Sequence, residues 1–191
     1  MAQSRNIPWK PTRQQLLAAE GKTVADIIAP NLSVLFCGIN PGLYSAAVRH
    51  HFARPGNRFW PALHAGGFTP RVFSPFEEQE LLKLDCGITN IVNVASASAE
   101  TLTREQYRAG AKKLIAKVRR FRPRVLAVLG LGAYRIAFDD PLAQVGAQEK
   151  AIGPTRLWVL PNPSGLNAHY QPRELAREFA RLRRAAGRRG A

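Results

Sequence analysis

Two asparagines stand in the same kind of setting. Asn40 follows the apolar run Leu32–Cys37 in the turn Gly38-Ile39-Asn40-Pro41-Gly42, and Asn162 follows Leu157–Leu160 in Pro161-Asn162-Pro163-Ser164-Gly165. Each run is short, continuous and bounded by breakers, the pattern of a fully buried strand. Each turn then places one neutral amide just past a strand's carboxyl end, the edge where open α/β sheets bind ligands. An amide there can orient a water but is not a strong general base. Its other reading is the ordinary one, asparagine as a turn former. If the strands are parallel, both turns open at one sheet edge.

Other chemistries find less support. Gly130-Leu131-Gly132 follows a strand, but the third glycine of a dinucleotide fingerprint would fall at Arg135, so that motif is discarded. There is no Gly-x-Ser-x-Gly nucleophile elbow. His50 and His51 are adjacent, so their side chains diverge in any regular element, and His64 and His169 stand alone. Cys37 and Cys86 are too few for a four-thiolate site and form no Cys-x-x-Cys pair. They read as buried thiols in a reducing compartment. No metal or cofactor is expected.

The elements that must hold the two turns follow from the pattern. Leu32–Cys37, Cys86–Val94, Val125–Leu129 and Leu157–Leu160 read as strands. Helices are expected from about Asn57 to Ala65, over Glu77–Leu84, over Arg104–Phe121 after a Thr103/Gln106 capping box, from Gly130 through Phe138, and over Pro172–Ala186. A short helix is expected at Val24–Ile28 and another within Thr12–Glu20. Leu43–Pro55 reads as a functional loop and Asp139–Ile152 as an irregular excursion. Buried strands alternating with helices predict a three-layer α/β/α fold with a central, mostly parallel sheet of four to five strands. Residues 1–22 are expected to form a flexible arm, 23–186 a single domain and 187–191 a basic tail.

Charge narrows the partner. The 191 residues include 28 Lys and Arg against 13 Asp and Glu, a formal charge of +15, and a field of that size favours a polyanion, nucleic acid first. No apolar run approaches membrane-spanning length, and Met1–Gly21 lacks the apolar core of a secretory signal. The expected setting is cytoplasmic, with no membrane partner. Beside a basic surface, Leu166 at the tip of the second turn acquires a sharper meaning than a lone exposed leucine, because apolar side chains can wedge between bases.

These residues carry a resemblance. VLFCGINPG (34–42), PGNRFW (55–60), CGITNIV (86–92), LAVLG (126–130) and WVLPNPSGL (158–166) resemble, in order and separation, the mismatch-specific uracil-DNA glycosylases and thymine-DNA glycosylases. The resemblance implies the uracil-DNA glycosylase fold. It implies hydrolysis of the N-glycosidic bond of uracil, and of thymine or modified cytosines to varying degrees, opposite guanine in double-stranded DNA. By position, Asn40 would place the attacking water. Ile39 and Ser45 would line the base pocket, and Phe52 would stack on the flipped base. Gly165, Leu166 and Asn167 would form the wedge and contact the widowed guanine. Arg54, Arg58 and Ser164, with His50 and His51, are candidate phosphate contacts. The expected enzyme is a cofactor-free monomer with no Schiff-base step, since neither catalytic turn holds a lysine.

Two departures keep a second reading open. An acidic residue often stands in relatives where this chain has Asn93, and if Asn93 belongs to the catalytic set, its neutrality makes a DNA-binding module with weak or no catalysis the alternative. Ala168 replaces a basic residue of some relatives.

Overall fold

Alternation of side chains through five strands decides the architecture. The structure, a computed structural model, describes residues 10–165 and 170–187. Strands β1 (Val34–Gly38), β2 (Cys86–Asn90) and β3 (Val125–Leu129) are buried at every position, as strands covered on both faces must be. With β4 (Gly146–Ile152) and β5 (Thr155–Leu160) they form one sheet of order β2-β1-β3-β5-β4. All neighbours run parallel except the edge pair β4–β5.

Each face carries its own helices. Val34 and Phe36 of β1, Ile88 of β2 and Ala127 of β3 pack with Leu63 of α3 (Phe59–Ala65) and with Leu175, Phe179 and Leu182 of α6 (Pro172–Ala186). Phe36 stacks on Phe179 with centroids 5.9 Å apart. On the other face Leu35, Leu126 and Val159 pack with Tyr107, Ala111, Leu114 and Val118 of α4 (Arg104–Phe121) and with Ala133 and Tyr134 of α5 (Leu131–Ala137). The i, i+4, i+7, i+11 spacing of those α4 residues is the apolar stripe of a helix lying on a sheet. The helix starts on the expected Thr103/Gln106 capping box. The α/β/α sandwich with a mostly parallel five-stranded sheet is therefore the fold that the sequence pattern predicts. No helix among the described residues is long and apolar enough to cross a membrane.

Three segments differ from expectation. Residues 43–48 are not loop but helix α2 (Leu43–Val48), capped by Gly42; a six-residue helix is too short to show a period. Residues 24–28 form no helix. Thr23 and Ile27 instead make antiparallel bridges to Val94 and Ile88, which covers the otherwise open edge of β2. The excursion 139–152 contains β4, whose polar middle Ala147–Ala151 faces outward, with burial only at its two ends. An edge strand needs no apolar run, so composition hides it. The short helix expected within Thr12–Glu20 is α1 (Arg13–Leu17), which begins on a Thr12/Gln15 capping box, and the Gly21 amide donates to Ala95 O at 3.0 Å.

Candidate active site at the strand ends

A cleft of about 610 Å³ opens where the four parallel strands end, lined by Asn40 after β1, Asn90 of β2, Leu129 of β3 and Asn162 after β5. From β1 the sheet extends to β2 on one side and to β3 on the other, so the cleft lies at a topological switch point, where such sheets leave a crevice. The two Asn-Pro turns open at one sheet edge, as the sequence predicts, and flank the end of β3.

Asn40 is half-buried, and three acceptors surround its side-chain nitrogen. Nδ2 donates to Ser96 Oγ at 2.8 Å, to Pro41 O at 3.2 Å and to Val94 O at 3.4 Å. Among the described residues no hydrogen bond engages its Oδ1. The amide thus presents one acceptor oxygen for a water, and its orientation follows from the chemistry of its partners rather than from atom labels.

Asn90 is the residue that sequence reasoning missed. The strand expected to reach Val94 ends at Asn90, and Asn93 lies exposed on the following segment, outside the cleft lining. The register aligns Gly38 with Asn90, so the strand-end asparagine on β2 is Asn90. The missed signal was the equal length of neighbouring strands: pairing stops where β1 turns away. Gly38 leaves room for it, since a Cβ there would lie 2.5 Å from Asn90 Oδ1 and 3.2 Å from Phe52 Cζ.

Behind Asn90 stands a buried histidine. His51 Nε2 lies 2.9 Å from Ala25 O, which can only accept, so that nitrogen carries the proton. Burial, partly opposed by this hydrogen bond and by Glu78, lowers the His51 pKa, and the neutral ring leaves Nδ1 as an acceptor facing Asn90 Nδ2 at 3.5 Å. Buried Glu78 receives the His51 amide and His50 Nδ1, each at 2.8 Å. Both ring nitrogens of buried His51 thus face protein groups, while half-buried His50 is engaged through Nδ1. His51 supports the cleft from behind, and His50 pairs with a carboxylate.

Ile39, Ser45 and Phe52 all line the cleft. Ser45 Oγ accepts the Ala53 amide at 3.1 Å and so steadies the chain beside Phe52. Phe52 adopts a left-handed backbone (φ 53°) and stacks on Phe59 with centroids 4.1 Å apart. A non-glycine residue held there signals a ring placed by the surrounding packing. Arg54 is exposed at the cleft, a position from which a guanidinium can meet a phosphate.

The second turn is held by other means. The Asn162 Oδ1 accepts the Ser164 amide at 3.0 Å, a local turn contact. Arg58 donates through one terminal nitrogen to Ser164 O and through the other to Tyr170 O at 2.8 Å, and its amide donates to Pro163 O at 2.9 Å. Arg58 thus ties the β5 turn to the approach to α6. Gly165 is required by close approach, since a Cβ would lie 2.7 Å from Gly56 O. Leu166 and Asn167, the expected wedge, lie outside the described residues.

The two cysteines are unpaired and buried, and burial pushes both thiols above their usual pKa, Cys86 to about 12. They are inert packing residues. Among the described residues no three His, Cys, Asp or Glu side chains converge as a metal site would require.

Comparison with known proteins agrees with this architecture. A solution NMR structure from Methanosarcina acetivorans, provisionally assigned as a uracil DNA glycosylase, superposes with a TM-score of 0.56 at 18% identity. The match covers 85% of this chain and 98% of that one, a likeness in fold. The family model of the Uracil DNA glycosylase superfamily matches residues 25–184, from the segment that covers the β2 edge to the last turns of α6. The match spans both Asn-Pro turns and the cleft between them, and the chain belongs to the uracil DNA glycosylase superfamily.

Proposed function

We propose that this superfamily member is a monofunctional DNA glycosylase that hydrolyses the N-glycosidic bond of uracil opposite guanine in double-stranded DNA. The observation that carries the reading is the Asn40 amide, lining the cleft with its nitrogen engaged by three protein acceptors and its oxygen left to hold a water. A base inside a duplex must first be flipped out, which costs a few kcal/mol, least at a weak mismatch. The flipped uracil enters between the ends of β1 and β2 and stacks on Phe52, while Asn90 presents an amide to its edge. Arg54 and the +15 field hold the backbone. By resemblance, Leu166 fills the vacated stack, with Gly165 and Asn167 beside it.

The bond between sugar C1′ and base nitrogen breaks with its electron pair leaving on the base. Positive charge develops on the sugar and negative charge on uracil, and preorganised donors and nearby phosphates stabilise that separation. The water held by Asn40 adds to C1′ and loses a proton to solvent. A neutral amide cannot take that proton early, so the reaction is dissociative and slower than one driven by a carboxylate. Among the described residues no lysine lines the cleft, and the proposed reaction has no Schiff-base step.

The test is single-turnover excision on a U:G duplex by the native chain, Asn40→Ala and Asn93→Asp. Excision by the native chain that Asn40→Ala lowers at least about 100-fold, the scale of a lost catalytic hydrogen-bonding group, supports the reading. Duplex binding without excision by any of the three would replace it with the DNA-binding module. Activity confined to Asn93→Asp would make the native chain a disabled form.

A further inference from the structure

An asparagine side chain is useful for holding a water only if it faces the right way round, and the structure contains a residue that decides this for Asn40. Two of the three groups around Nδ2, Pro41 O and Val94 O, can only accept, but they lie at 3.2 and 3.4 Å. The short contact, 2.8 Å, is to Ser96 Oγ, and a hydroxyl can either donate or accept. Were its proton turned toward Asn40, the amide could reverse and offer Nδ2 to the cleft. That choice is removed elsewhere. Ser96 Oγ donates to Ser98 O at 2.8 Å, so toward Asn40 it can only accept. Ser98 O is itself pinned, receiving Thr101 Oγ1 at 2.7 Å and the Thr101 amide at 3.3 Å. Ser96 is placed by pairing with the first turn: it bridges Gly42, and its amide donates to Pro41 O at 3.3 Å.

We propose that Ser96 is a positioning residue for water addition: its hydroxyl, fixed as an acceptor by donation to Ser98 O, holds Asn40 with Nδ2 against the protein and Oδ1 toward the cleft. Ser96 acts through Asn40 and does not itself meet the reacting atoms. The proposal rests on the glycosylase reading above. The polarity follows from proton accounting along Asn40–Ser96–Ser98 and does not depend on which base is excised.

The experiment compares native protein, Ser96→Ala, Ser96→Thr, Asn40→Ala and the double variant Ser96→Ala/Asn40→Ala. Each is assayed by single-turnover excision on a U:G duplex, by affinity for a duplex carrying 2′-fluoro-deoxyuridine opposite guanine, and by Tm. Ser96→Ala is expected to slow excision about 10- to 100-fold, the usual range for loss of a supporting partner, with duplex affinity and Tm unchanged. Ser96→Thr, which restores the hydroxyl, is expected to recover the rate to within about threefold. In the Asn40→Ala background Ser96→Ala should add nothing, because the two residues act as one unit. Native-like excision by Ser96→Ala, failure of Ser96→Thr to rescue, or a full additional loss in the double variant would overturn the proposal. A second measurement stands apart from catalysis. The Asn40 side-chain NH₂ resonances should exchange slowly with solvent in the native protein and rapidly in Ser96→Ala. Equal exchange in both would overturn the proposal even if excision is absent throughout, an outcome that by itself would count against the functional reading alone.

Discussion

The two Asn-Pro turns look alike in sequence and are built in opposite senses. In the first, the asparagine reaches across the fold, and Asn40 Nδ2 is held by Val94 and Ser96, more than fifty positions away. In the second, the asparagine folds back on its own turn, and Asn162 Oδ1 caps the Ser164 amide two residues on. The first arrangement engages the donor end and leaves an acceptor for the cleft. The second engages the acceptor end in making the turn. What holds each region also differs: the strand ends around the first turn lean on neutral His51 behind Asn90, whereas the second turn is tied by the guanidinium of Arg58. A shared motif therefore does not mean a shared set of partners, and under the proposed reading the asparagine whose oxygen is left to the cleft is the one that holds the water.

If that contrast is right, the two asparagines fail differently when truncated. Asn40→Ala should cost at least about 100-fold in single-turnover excision while Tm stays near native, because its partners lie at a solvent-accessible cleft and can turn to water. The next effect in size belongs to the tie on the second turn. Arg58→Gln removes charge-assisted donation to two backbone carbonyls, and a loss of about 1.5–3 kcal/mol in urea unfolding is expected. Asn162→Ala is smaller again. It removes the cap on the Ser164 amide, a loss of about 1 kcal/mol, and should leave the excision rate within about tenfold of native. A rate collapse in Asn162→Ala as deep as in Asn40→Ala would erase the distinction between the turns.

The sequence made the layers legible because burial on both faces leaves apolar runs, as in Val125–Leu129, and because Thr103 and Gln106 announce the start of α4. It made Asn40 legible because the turn chemistry of Asn-Pro-Gly is local. It hid Asn90, because Cys86–Val94 continues its apolar character beyond the point where pairing with β1 stops, and that stopping point belongs to the neighbouring strand. It hid the roles of Arg58 and His51 for a related reason. A basic side chain in a loop reads as a phosphate contact until its partners are known, and those partners, Tyr170 O and Ala25 O, are 112 and 26 positions away. Ser96 carried no local signal at all, since its importance lies in where its proton goes.

The smallest effect is also the one that separates the two regions by condition rather than by mutation. The His51 imidazole is neutral in the fold because burial penalises its charged form, so its folded pKa lies below the ordinary value near 6.5. Between that depressed value and about 6.5 the unfolded chain binds more protons than the folded one, so stability rises with pH there. The contribution is complete above about pH 6.5 and is lost as pH falls through the folded pKa. Protonation also turns Nδ1 from acceptor to donor, which opposes the contact with Asn90 Nδ2. Hydrogen exchange at pH 7.5 and pH 5.5, corrected for intrinsic rates, should therefore show amides around His51 and Asn90 losing protection on acidification while the Ser164 amide in the second turn holds its own. His51→Gln should flatten the acid limb of the stability curve relative to native protein, isolating this histidine from His50 and His64. An unchanged slope in His51→Gln, or equal loosening at both turns, would mean that the β1–β2 end does not rest on a neutral imidazole.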